Sequence, residues 1–365
     1  MKEEEREMAT ARGGASGASA SASAAAEAVS EWRVRLPEKP FKDLKYFGNL
    51  KAKVIDAGIC SRCLTCAAVC PAPEGITAVD GVVFENWEEK CLDCGACVRV
   101  CPRFEYEPKS GLGEYLEILA ARSKRFSGQD GAMVTEILAS AIEMGIIDRA
   151  IFVGRDEAWR TTNFHLREIE QLSLKTLRGT KYCYSTALSE LREAVLRSKG
   201  VGVIGTPCMV SGVKKLREEF PLFREKVKIS VGLFCTENFH WEELHAFLKE
   251  KGVSFEKLVK TDITKGQFIA TMTDGEVTFP VSELEEIIPS GCRVCTDFAA
   301  VDADVSVGSV GSAPGFSTVV VRSALVKEII DYIRRNKYAD FGDVMLKVVN
   351  KMVKLKKKRE ANIKK

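Results

Sequence analysis

Cys60-x-x-Cys63-x-x-Cys66-x-x-x-Cys70-Pro71 is followed by Cys91-x-x-Cys94-x-x-Cys97-x-x-x-Cys101-Pro102, a second run with the same spacing. Three thiolates on one short loop can hold three iron corners of a cubane, and the fourth corner is reached from the other run. This is the bacterial-type pattern for two 4Fe-4S clusters, in which the fourth cysteine of each run ligates the other cluster. The spacing therefore assigns Cys60, Cys63, Cys66 and Cys101 to one cluster, and Cys91, Cys94, Cys97 and Cys70 to the second. Zinc also binds paired C-x-x-C units, but it takes four ligands per site and leaves the doubled third spacing unexplained.

Of the thirteen cysteines, five remain. Cys208 follows Gly205-Thr206-Pro207, Cys235 follows Gly232-Leu233-Phe234, and Cys292 and Cys295 form a C-x-x-C after Gly291. Spacing leaves four readings open: a third 4Fe-4S cluster, structural zinc, a redox pair, or small core residues. Cys183 stands alone and reads as a free thiol. Two loops suit an anionic ligand: Gln129-Asp130-Gly131 ahead of a helix, and the small-residue run Gly308–Gly315 after an apolar strand. Gly200-Val201-Gly202-Val203-Ile204-Gly205 fits a dinucleotide fingerprint literally, but it follows a helix and its middle is itself the strand. The three histidines, His165, His240 and His245, sit in no hydrolase signature.

These residues need elements to hold them. Apolar residues make up 45% and charged residues 29% of 365, a globular composition. No uncharged apolar run approaches the ~20 residues of a membrane span. A net charge of +3 lies far from the excess of a dedicated nucleic-acid binder. The charged start excludes a secretory signal and points to the cytoplasm, where clustered cysteines bind metal more often than they form disulfides.

Residues 1–50 read as a disordered low-complexity tail and linker, because the Ala/Ser/Gly run offers little to bury. Residues 51–110 read as the two-cluster ferredoxin domain. From 111 to 325 the pattern predicts strands at 115–121, 150–153, 201–204 and 227–234, alternating with helices at 132–144, 187–197, 210–219 and 241–251. Asp274-Gly275 predicts a hairpin reversal. Residues 326–365 read as C-terminal helices with a basic tail, the run Lys354–Arg359 being a solvated face.

Gly128-Gln129-Asp130-Gly131, Gly179-Thr180-Lys181-Tyr182, Pro207-Cys208, Cys235-Thr236-Glu237-Asn238-Phe239, Gly291-Cys292-Arg293-Val294-Cys295 and Ala303–Ser312 together resemble the coenzyme F420 hydrogenase/dehydrogenase beta-subunit family, over residues 114–322. The resemblance implies an α+β architecture, with a 2x4Fe-4S ferredoxin-like domain ahead of a mixed α/β flavin-binding domain and C-terminal helices. It implies an FAD-containing oxidoreductase that transfers a hydride between coenzyme F420 and FAD and relays single electrons through clusters. It makes Cys208, Cys235, Cys292 and Cys295 the ligands of a third 4Fe-4S cluster. It places FAD against Gln129, Asp130, Gly131, Thr135, Thr180, Lys181, Tyr182, Ser309, Gly311 and Ser312. No side chain is singled out as catalytic, because the hydride chemistry belongs to the cofactor.

The implied partners are coenzyme F420 and other redox subunits of a hydrogenase, heterodisulfide-reductase or membrane-dehydrogenase complex, with a location in the cytoplasm or peripheral to a membrane complex. The fused ferredoxin module departs from the hydrogenase subunits and points to dehydrogenase-like members. Two other readings keep part of this: a ferredoxin-dependent reductase of a chlorophyll-type pigment, and an electron-transfer adaptor without active flavin.

Overall fold

Val201–Gly205 is an apolar run with no polar alternation, the mark of a strand covered on both faces, and all five of its residues are buried. The computed structural model, which describes residues 36–78, 81–109 and 111–363, places it at the centre of a mixed sheet. The strands are β1 (Glu117–Ser123), β2 (Arg149–Arg155), β3 (Thr161–Leu166), β4 (Val201–Gly205), β5 (Val227–Leu233), β6 (Leu258–Thr264), β7 (Gln267–Met272), β8 (Gly275–Pro280), β9 (Val305–Gly308), β10 (Ser317–Val321) and β11 (Ala339–Gly342). Eight of them run in the order β11-β1-β10-β9-β5-β4-β2-β3. Four consecutive strands, β9-β5-β4-β2, are parallel, and the remaining pairings are antiparallel. The helices Met133–Glu143 and Ala324–Arg335 pack on one another over this sheet, burying Ile137, Ile329, Ile330 and Ile333 with the strand valines.

The ferredoxin module is built on two short helices, Thr65–Val69 and Ala96–Val100. Each is entered through left-handed backbone at equivalent positions, Arg62 and Leu64 in one run and Asp93 and Gly95 in the other. Such φ values curl the chain tightly, which lets three closely spaced thiols face one point. Both helices rest on Pro207–Glu219, the helix that follows β4.

Besides the unpredicted strands β3, β6 and β10, the structure differs from the sequence expectations in four places. A helix over Tyr46–Leu50 falls inside the segment read as tail and linker, and its Phe47 and Leu50 are 2% exposed because they join Phe84 and Phe104 in the module's core. The expectation for residues 1–35 lies outside the described residues. The hairpin pairs Met272 with Gly275, so Thr273-Asp274 makes the reversal, one residue before the expected pair. The strand β11 separates the two C-terminal helices, held by pairing to β1. In the basic run, Lys356 is buried rather than solvated.

Gly131 is demanded by packing, since a Cβ there would lie 2.2 Å from the Ala121 carbonyl oxygen and 2.5 Å from the Ser317 nitrogen. Gly131→Ala should destabilise the fold by about 3 kcal/mol, read as a lower urea midpoint with an unchanged slope. An unshifted midpoint would contradict this packing account.

Candidate functional site

Parallel sheets expose their ligand-binding loops at the carboxyl ends of their strands, and the remaining motif residues gather at that edge. Cys208 follows β4, Cys235 follows β5 and Ser309 follows β9. Behind them lie the cysteines of the ferredoxin module. Cys60, Cys63, Cys66 and Cys101 line one recess of about 310 Å³. Cys70, Cys91, Cys94 and Cys97 line a second of about 310 Å³. In each recess three thiols of one run stand with the last thiol of the other run. The four thiols of each set ring a recess, as the separated corners of a cubane would require.

Cys208, Cys235, Cys292 and Cys295 are brought together from three separate loops. Desolvation pushes the Cys208 thiol up to about 12, and the neighbouring Cys295 adds to the rise. Cys235 is raised chiefly by burial and feels Cys292, Cys208 and Cys295. Cys295 goes the other way: burial opposes ionisation, but the Lys356 ammonium and the Arg103 guanidinium together hold its thiol below the ordinary value. The Tyr184 hydroxyl lies 3.3 Å from Cys292 Sγ. Arg359 donates to the carbonyls of Thr236, at 2.7 Å, and Cys292, at 3.0 Å. This set abuts the first ferredoxin recess, for Cys208 Sγ is 3.9 Å from the Ser61 carbonyl oxygen. A larger recess of about 890 Å³ opens on Cys208 and Cys295 between residues 102–109 and the helix Pro207–Glu219.

The three polar loops also converge. Ser309 Oγ donates to Asp130, Gln129 Nε2 donates to the Thr261 carbonyl at 3.2 Å, and Thr261 Oγ1 donates to the Thr180 carbonyl at 2.8 Å. Gly311 and Ser312 have packing reasons of their own: a Gly311 Cβ would lie 2.4 Å from Val349, and Ser312 Oγ donates to Ser309 and Phe316 carbonyls. Thr135 is half-buried in the first turn of Met133–Glu143. Around the convergence, Gln129 Oε1 and Arg155 Nε are buried without a hydrogen-bond partner among the described residues. Among the described residues the Lys181 ammonium donates only to the Leu177 carbonyl, at 2.7 Å. Desolvation, with Arg155 nearby, lowers Lys181 to about 8. Burial and then Asp262 raise the Tyr182 hydroxyl. Buried polar atoms held in reserve fit a polar, anionic cofactor better than an apolar one.

This makes Lys181 a sign test. Its folded pKa lies below the unfolded one, so the burial penalty is fully present below pH 8 and is relieved as pH rises from about 8 toward 10.4. Lys181→Met should therefore stabilise the cofactor-free protein at pH 7, by up to about 3 kcal/mol, and flatten that pH dependence. Thermal melts across pH 7–10 check both, and a loss of stability at pH 7 would refute the burial penalty.

Arg155, Lys356 and Arg103 are residues that motif reading missed. A signal for Lys356 was available, since Val349, Val353 and Lys356 share one helical stripe. Cys183 packs among Trp159, Phe239 and Phe268, where burial pushes its thiol up to about 12. Gly202 of the literal glycine fingerprint is explained by close packing on Leu138 and Ile147.

The family model for the C terminus of the coenzyme F420 hydrogenase/dehydrogenase beta subunit matches residues 198–347, the model for its N-terminal part matches 118–192, and a 4Fe-4S dicluster domain matches 52–110. A coenzyme F420-dependent sulfite reductase of Methanocaldococcus jannaschii is 35% identical over 84% of this chain, which spans only 50% of that protein. A subunit of the F420H2 dehydrogenase of Methanosarcina mazei is 31% identical over 85% of this chain and 92% of its own length. A chain of the F420-reducing [NiFe] hydrogenase complex from Methanosarcina barkeri superposes with a TM-score of 0.66 at 30% identity, covering 71% of this chain and 94% of that one. Among the described residues no helix is long and apolar enough to cross a membrane.

Proposed function

This chain belongs to the coenzyme F420 hydrogenase/dehydrogenase beta-subunit family, and on that premise we propose that it is an F420-dependent oxidoreductase subunit. It exchanges a hydride with coenzyme F420 at a bound FAD and passes single electrons through three 4Fe-4S clusters to or from a partner redox protein. The observation that carries the reading is the shared edge: loops 128–131, 179–182 and 309–312 converge at the carboxyl ends of the strands that also present Cys208 and Cys235. FAD supplies the exchange between a two-electron hydride donor and one-electron carriers.

The protein's part is to hold and orient. Gln129, Arg155 and Lys181 offer polar atoms with few or no protein partners, and Asp130, Thr180, Tyr182 and Ser309 frame them. Cys208, Cys235, Cys292 and Cys295 hold a cluster next to the first ferredoxin recess, with the second recess beyond it. Anaerobic reconstitution with iron, sulfide and FAD tests the reading. About twelve irons per chain, with flavin and cluster absorbance bleached by reduced coenzyme F420, is the expected result. Bound flavin that ignores this donor would overturn the substrate, and about eight irons without flavin would leave an electron-transfer adaptor.

A further inference from the structure

Two buried cations face the cysteine set of Cys208, Cys235, Cys292 and Cys295. Lys356 is 3% exposed, whereas Lys347, Lys351, Lys354 and Lys357 of the same helix are exposed. Its Nζ donates to the Cys235 carbonyl at 2.6 Å. Arg103, 3% exposed, comes from the ferredoxin module, lies over the Tyr106 ring at 4.0 Å and reaches the Gly291 carbonyl at 3.3 Å, while its Nε and Nη1 are buried without a hydrogen-bond partner among the described residues. Among the described residues neither cation pairs with a carboxylate within 4.0 Å. The buried Asp297 is a nearby carboxylate that feels Lys356. A buried charge without a counter-ion is strongly disfavoured, so both cations need a negative group, and four thiolates around a cluster provide one. Lys356 lies beyond residue 347, where the family match ends.

We propose that Lys356, assisted by Arg103, is a positioning residue whose fixed positive charge raises the reduction potential of the cluster held by Cys208, Cys235, Cys292 and Cys295. This rests on the reading of those cysteines as cluster ligands. The reduced cluster carries one more negative charge than the oxidised one, so a buried cation stabilises the reduced form more. Electrons arriving singly are thereby held beside the flavin loops before they pass to the ferredoxin module. The carbonyl contacts at Cys235 and Gly291 fix where each charge sits, as outer groups around a metal centre commonly do.

The test is a potentiometric titration of the reconstituted full-length protein followed by electron paramagnetic resonance, with iron counted in every sample. The signal of this cluster is identified by its absence from Cys235→Ala. Lys356→Met should retain its iron but move that midpoint downward by about 59 mV, a tenfold change in the one-electron equilibrium. The two ferredoxin signals should stay in place, and Lys356→Arg should restore the midpoint. If Lys356→Met fails to fold, Arg103→Gln gives the reading, with a downward shift again expected. An unmoved midpoint with full iron content overturns the inference, since a merely structural lysine would alter stability or cluster occupancy alone. Wild-type protein with about eight irons would remove the cluster reading itself, and the inference with it.

Discussion

Cys235→Ala should remove about four of about twelve irons from the reconstituted chain and reduce electron arrival at the ferredoxin clusters to background, while reduced coenzyme F420 still bleaches the flavin. The separation follows from where the ligands stand. Cys235 belongs to no ferredoxin recess, for the eight cysteines of that module line two recesses of their own. The Cys235 peptide is held through its carbonyl by Lys356, so truncating the thiol leaves the loop anchored. Gln129, Asp130, Thr180 and Ser309 bond through Thr261 and one another and do not depend on the thiol. Iron analysis and stopped-flow absorbance decide the matter. Full iron retention would refute the ligand assignment, and lost flavin bleaching would refute the order of transfer.

The sequence made the dicluster domain and its candidate ligands legible because a cluster's corner spacing is written into the chain as adjacent C-x-x-C steps. Cys208 and Cys235 lie 27 residues apart in the chain, and nothing in their spacing says that they meet. Their meeting is a product of parallel pairing, in which Ile204 lies against Val231 and Val231 against Val305, so that β4, β5 and β9 deliver their following loops to one edge. The central elements from β1 to β5 were readable from apolar runs and helical periodicity, apart from β3.

Two of the strands that were missed, β6 and β11, share a cause. In β6, Lys260, Thr261 and Asp262 interrupt the apolar run, and β11 holds only Ala339, Asp340, Phe341 and Gly342. Both are stabilised by a neighbouring strand rather than by local preference. Lys356 was misread for a related reason. A run of basic residues suggests solvent, and only the phase of the helix puts this one lysine on the stripe of Val349 and Val353.

Gly291→Ala should separate cluster binding from electron transfer, because it acts where the two modules touch backbone to backbone. A Cβ at Gly291 would lie 2.0 Å from the Cys60 carbonyl oxygen and 2.8 Å from its carbonyl carbon. Neither atom belongs to a flexible side chain, so relief requires the ferredoxin loop and the Cys292 turn to move apart by about 1 Å, at a cost of about 1–3 kcal/mol. The Arg103 bond to the Gly291 carbonyl crosses the same junction and would lengthen with it. All cysteines remain, so iron content should hold at the wild-type value. Electron transfer between carriers falls off with distance, and reduction of the ferredoxin clusters after flavin bleaching is the step that should slow. Gly275→Ala is the control, since a Cβ there meets nothing within 4 Å. If Gly291→Ala transfers electrons at the wild-type rate, the junction at Cys60 is not the route between the flavin side and the ferredoxin module.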